Sequence, residues 1–164
     1  MIDMAKVTYF AFAIVALLGA VTLCAGLVET DRQLRANVFG IYITKDSAQV
    51  LSGVDVIFYN VTSHEFTLTI ACTARLQEMR PPPMGAFAVR VSGRDVLVGL
   101  FVPPVTSRSY PPEQVVITYP DIELRYGVMK IQMGYPWDYP PKGVDPRDVP
   151  ELTQFFESVG KLVR

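Results

Sequence analysis

The chain has 164 residues, half of them hydrophobic, and a net charge of −1. Nothing in that balance suggests a nucleic-acid partner, and there is no basic cluster of the kind that holds anionic lipid head groups. Its two cysteines, Cys24 in an apolar run and Cys72 in a predicted strand, read as free thiols rather than a disulfide framework.

Residues 7–28 (VTYFAFAIVALLGAVTLCAGLV) carry no charge. As a helix this run reaches about 33 Å, enough to cross a hydrocarbon core of about 30 Å. It is longer than the core of a cleaved signal peptide, the rival reading, and Ala20-Val21-Thr22 is a mediocre cleavage site. Residues 1–28 are therefore expected to be an uncleaved transmembrane anchor. Its small residues, Ala13, Ala16, Gly19, Ala20, Ala25 and Gly26, allow close helix packing. Lys6 before the run and Arg32 and Arg35 after it give only a slight charge bias, toward a cytoplasmic C-terminal side. Residues 29–36 (ETDRQLRA) read as a polar stalk.

From residue 37 the period changes. Strands are expected over 37–44, over 50–60 with a turn or bulge at Ser52-Gly53, and over 66–76. In the last of these Phe66, Leu68, Ile70, Cys72 and Ala74 alternate with polar residues. Residues 86–91 and 95–102 flank Ser92-Gly93-Arg94, a hairpin signal. Further strands are expected over 114–119 and 122–133, with Gly127 a bulge. About seven strands with no helix pattern between them predict a β-sandwich over 37–133. Residues 134–146 (GYPWDYPPKGVDP) form a proline- and aromatic-rich tail, either packed on the domain or acting as a strap for a partner. Tyr135, Trp137 and Tyr139 are its candidate contact residues. A short amphipathic helix closes the chain, with Asp148 and Glu151 at capping-box spacing and Pro150 in the first turn. Its apolar stripe runs through Leu152, Phe155, Phe156, Val159, Leu162 and Val163 and is expected to pack on the sandwich or on a partner subunit rather than lie in lipid, with Phe155 and Phe156 as further candidates for contact with a partner.

The chemistry of catalysis is thin. His64 is the one histidine, and the default for it is a solvated loop position. One histidine cannot build a His-rich metal site, and no G-x-S-x-G or phosphate-binding glycine loop occurs. Asp138, Asp145 and Asp148 lie in loops without a paired motif. No catalytic residue, cofactor or metal is expected. Asn60-Val61-Thr62 is an N-x-T sequon, which makes Asn60 a glycosylation candidate and favours an extracytoplasmic domain.

The strand and loop VDVIFYNVTSHEFTLTI, the hairpin FAVRVSGRDVLVG and the proline-bracketed loop leading to QVVITYPDI resemble the LEA2 family (water stress and hypersensitive response, WHy) across residues 54–122. Asn60 falls where that family ends a strand in asparagine, and Val61 stands where the family has proline. The resemblance implies an immunoglobulin-like or fibronectin III-like sandwich behind one membrane helix. The implied roles are protective, lipid-contacting or adhesive, with no catalytic residue to carry over.

Taken together, the residues predict a mainly β, single-pass membrane protein. Its expected partners are membrane lipid and either other subunits of a membrane complex or further copies of itself. A filament subunit of the archaeal pilin or archaellin type is the main alternative, although Lys6-Val7 lacks the small residue of their processing site. A LEA2-like lipid-contacting module is the other.

Overall fold

The computed structural model describes residues 38–119 and 122–164. The expected anchor and stalk lie outside the described residues. Among the described residues no helix is long and apolar enough to cross a membrane.

The architecture is mainly β, with two sheets and two short helices. Strands β1 (Phe39–Ile43), β2 (Gln49–Ser52), β3 (Val56–Asn60) and β4 (Glu65–Leu68) come first, followed by helix α1 (Ile70–Glu78). Then come β5 (Gly85–Val91), β6 (Arg94–Val102), β7 (Tyr110–Thr118), a 3-10 turn (Ile122–Tyr126), β8 (Val128–Lys130) and β9 (Gln132–Tyr135). Helix α2 (Pro150–Ser158) and β10 (Leu162–Val163) end the chain. One sheet has the order β2-β1-β5-β6-β7-β9 and the other β10-β3-β4-β8. Most pairs are antiparallel, but β6–β7 and β10–β3 are parallel.

The central hairpin forms where the turn chemistry asks for it. Val91 pairs with Arg94, leaving Ser92 and Gly93 as a two-residue turn, both with positive φ (50° and 79°). Two left-handed residues match the twist of the flanking strands, and glycine takes the second position without strain. Gly99 on β6 answers a different need. A Cβ there would meet the Phe87 ring at 2.5 Å and the Val115 carbonyl at 2.6 Å, so only glycine lets these neighbours close up.

Three expectations are corrected. Residues 66–76 are not one strand: β4 stops at Leu68 and α1 begins at Ile70. Thr69 caps the helix, its Oγ1 accepting from Cys72 N at 3.2 Å. Leu68, Cys72 and Leu76 are buried, whereas Ile70, assigned to the same inward face, is 89% exposed. A spacing of four fits both an alternating strand and one face of a helix, and here the helix wins. Within 50–60 the turn allowed for at Ser52-Gly53 is present, with Asp55 accepting from Ser52 N and Oγ (2.9 and 2.7 Å), and it sends β2 and β3 into different sheets. Residues 122–133 also divide. Gly127 (φ 73°) is not a bulge but ends the 3-10 turn, and the chain passes at Ile131 from the four-stranded to the six-stranded sheet. Finally, α2 has Val149 at its N-cap and no side-chain cap, so Asp148 and Glu151 form no capping box; Pro150 does open the helix. The helix stops at Ser158, and beyond Gly160 (φ 68°) the last apolar residues turn into β10.

Both sheets and α2 share one core. An aromatic cluster joins them. Phe39 stacks on Phe155 at 5.5 Å and meets Phe156 edge-on at 4.9 Å, while Tyr59 lies 4.8 Å from Phe66 and 5.1 Å from Phe156. Such pairs add about 0.5–1.5 kcal/mol each beyond the area they bury. β10 is held to β3 by Tyr59 N→Lys161 O (2.8 Å) and Val61 N→Val163 O (3.0 Å). Lys161 Nζ also donates to the carbonyls of Gly53 and Val56.

Candidate interaction site

The tail after β9 is a strap tied down at several points. Gly134 (φ 76°) lets the chain double back against Tyr139, whose ring would lie 2.6 Å from any Cβ at that position. Tyr139 N donates to Met133 O (2.8 Å), and Met133 N donates to Asp138 Oδ1 (2.9 Å). These two bonds close a small loop that projects Tyr135, Pro136 and Trp137. The Tyr135 hydroxyl donates to Pro104 O at 2.5 Å. Trp137, the chain's one tryptophan, is left 69% exposed at the tip. Tyr135 and Tyr139 are half-buried.

The far end of the strap is held by a buried arginine. Arg147 is 6% exposed. Its Nε and Nη2 donate to the carboxylate of Asp145 (3.0, 3.2 and 2.8 Å), and its Nη1 donates to Ile131 O and Asp138 Oδ1 (both 3.2 Å). Asp138 therefore serves both ends of the strap, and its other oxygen lies 3.1 Å from Lys130 Nζ on β8. A planar guanidinium suits this position because its fork satisfies a carboxylate bidentately and still reaches a backbone carbonyl. Burial works against the charge on Arg147, but Asp145 and Asp138 outweigh it and raise the guanidinium's pKa. For Asp145 burial pushes upward, and the hydrogen bonds from Arg147 win, holding the carboxyl below the usual carboxylate value.

Beneath this clamp lies His64. The expectation of a solvated loop histidine is wrong: His64 is 3% exposed and has a positive φ (57°) at the turn between β3 and β4. Its Nε2 is 3.4 Å from Asp145 Oδ2 and 3.9 Å from Asp148 Oδ1, and its Nδ1 is 3.3 Å from the Tyr59 hydroxyl. Burial, then the neighbouring Arg147 charge, push its pKa down, against the opposing pull of Asp145 and Asp148. The ring is thus held neutral near pH 7, between a buried tyrosine and an ion pair that is already satisfied. Burial raises the Tyr59 hydroxyl well above the usual tyrosine value. Neither group is open to solvent.

Cys72 is similarly inert. It is buried, and that burial, first among several causes, pushes the thiol up to about 12, with Arg75 Nη2 3.4 Å from its Sγ. Among the described residues no group of three His, Cys, Asp or Glu side chains is arranged to hold a metal ion.

The expected site residues therefore separate. Tyr135, Trp137 and Tyr139 come together on the strap. Phe155 and Phe156 do not join them: at 8% and 0% exposure they fill the protein's own core, so the helix stripe is spent on internal packing. Asn60 lies elsewhere, at the end of β3, where its Oδ1 accepts from Thr62 N and Ser63 N (2.9 and 3.0 Å). Arg147 was missed entirely. The local signal was Asp145-Pro146-Arg147, an aspartate two residues before an arginine; the partners at 64, 131 and 138 are set by the fold. The chain matches no family model, and no curated protein or solved structure is similar to it.

Proposed function

We propose that this chain is a non-catalytic, single-pass membrane protein whose β-rich domain stands outside the cytoplasm and binds other subunits of a membrane complex. In this reading the domain is a sandwich of the immunoglobulin-like or fibronectin III-like kind. Two sheets around one hydrophobic core support that finer assignment, while the parallel β6–β7 and β10–β3 pairs are departures from a purely antiparallel sandwich. The contact surface is the strap, with Tyr135, Trp137 and Tyr139 as its aromatic residues.

The observation that carries the reading is Trp137. A large aromatic side chain 69% exposed on a loop pinned at both ends is a preorganised anchor. Little conformational entropy remains to be lost when it is buried by a partner. A cavity of about 230 Å³ also opens along the strap, bordered by Pro112, Pro141 and Val144 together with the charged Glu113 and Lys142, and Val144 is 92% exposed at its rim.

The test is extraction of the full-length protein in mild detergent, followed by sizing, with Trp137→Ala beside the wild type. The expected wild-type species is larger than one chain in its micelle and contains a second subunit in fixed ratio. The variant runs as a monomer with an unchanged melting temperature. A wild-type monomer overturns the reading, and long homopolymers replace it with the filament alternative.

A further inference from the structure

We propose that Asn60 carries an N-linked glycan whose first sugar lies over the exposed ring of Phe58, covering an apolar patch on the outer face of the four-stranded sheet. The proposal rests on the extracytoplasmic reading above.

The first observation is the patch. On β3 the inward residues Val56 and Tyr59 are buried (0% and 1%), while Ile57 and Phe58 are 39% and 46% exposed. Val163 on the neighbouring strand β10 is 40% exposed. A bulge between Val56 and Phe58 turns both Ile57 and Phe58 outward, which costs apolar exposure that a plain alternating strand would have avoided. Three part-exposed apolar side chains on two neighbouring strands offer a surface that a covering group can lie on.

The second observation is the position of the sequon within that patch. Asn60 is two residues after Phe58 on the same strand, so the two side chains leave the same face, about 7 Å apart along the strand. Asn60 pairs laterally with Val163 on one side and Glu65 on the other. The acceptor nitrogen therefore stands beside the exposed Val163 and two positions from the exposed Phe58, with the charged Glu65 on its other side.

The third is the local geometry of the acceptor. Asn60 Oδ1 accepts from the backbone of Thr62 and Ser63, which fixes the amide plane. Its Nδ2 makes no hydrogen bond among the described residues, and Thr62, the sequon's hydroxyl residue, is exposed. Glycosylation removes one proton from Nδ2 and leaves Oδ1 unchanged, so the turn survives the modification. In the reaction Nδ2 bonds to the anomeric carbon of a polyprenyl-phosphate-linked sugar. The bond from that carbon to the phosphate oxygen breaks, the lipid phosphate leaves with the bonding electron pair, and the Nδ2 proton passes to solvent. No oxidation or reduction is involved. A pyranose presents a C–H face that packs on an aromatic ring, with weak C–H contacts to its π-face. Phe58 supplies that ring at the distance a first sugar on Asn60 spans.

The experiment begins with full-length protein from its native membranes. Peptide mass spectrometry reads occupancy at Asn60, and protease digestion of sealed, right-side-out vesicles reads the side of the domain. The expected result is a digestible domain with a hexosamine- or hexose-based mass on Asn60, absent in Thr62→Ala. A digestible domain with bare Asn60 overturns the glycan and leaves the topology reading intact. A protected domain overturns the topology reading itself, and the glycan with it. Stacking is read by the melting temperature before and after enzymatic removal of the sugar, in wild type and in Phe58→Leu, which keeps an apolar side chain but loses the π-face. The sugar should raise the wild-type value by about 2–4 °C and the variant's by clearly less. An equal rise in both overturns the role of Phe58.

Discussion

Arg147 is the residue on which the strap's attachment depends. It is buried against Asp145, Asp138 and the Ile131 carbonyl, so its removal takes the guanidinium from two carboxylates and a backbone oxygen, although Asp145 keeps the backbone N–H of residue 147. Breaking a buried ion pair on one side costs roughly 3–5 kcal/mol. The lower half is expected for Arg147→Ala here, because Asp138 keeps Lys130 and the Met133 amide. Urea denaturation would measure it, and Arg147→Lys should recover only part of the loss, because an ammonium cannot grip Asp145 bidentately. The same cluster sets a pH dependence. His64 is held below its ordinary value of 6.5, so its contribution is complete above that pH; as pH falls the unfolded chain takes the proton first and stability declines. Asp145 is held below its ordinary value of 3.8, so its contribution is complete above that and is lost as pH falls through its folded value. Stability should therefore fall in two acid steps. His64→Asn, which stays neutral and tolerates the left-handed backbone, should abolish the first step and spare the second. Little of this was legible in the sequence. Asp138, Asp145 and Asp148 stood out only as isolated acids and His64 as a loop residue, because their meeting depends on β3–β4 and the strap converging.

At the scale of elements, what could be read depended on whether the signal was local. The β5–β6 hairpin was legible because a two-residue turn needs residues that accept positive φ, and Ser92-Gly93 stand there. The C-terminal helix was legible from its stripe and from Pro150, but its use was not. The same stripe fits a partner's groove or the protein's own core, and Phe39, Tyr59 and Phe66 claim it for the core. Phe156→Ala should cost about 3–5 kcal/mol, since the cavity would open among aromatic rings from both sheets. Differential scanning calorimetry would detect a loss that size as a large drop in melting temperature. Helix α1 was misread because its buried residues are spaced by an even number, where strand and helix periods coincide. Thr69 was the cue that could have separated them, as a capping residue followed three positions later by the first buried helical side chain.

For the whole molecule, the mainly β character and the division into two layers follow from turn spacing and alternation. The order of strands does not, since β1 joins β5 and β3 joins β10 across long stretches of chain. The exposed tryptophan and the apolar side chains around Phe58 are proposed to do different things, the first to seat a partner and the second to lie under a sugar. Sizing of Trp137→Ala and of Asn60→Gln should accordingly diverge: assembly is lost in the first and kept in the second.

The position of β1 has a mechanical consequence. It is the first described strand, and it lies inside the six-stranded sheet with β2 on one side and β5 on the other. The Val38 carbonyl just ahead of it accepts from Ser92 N. A force entering through Val38 along the strand is resisted by two ladders loaded together in shear. An edge strand pulled the same way is held by one ladder only. Under tension between Val38 and the end of the last strand, the two-residue edge strand β10 should therefore give way before β1 does.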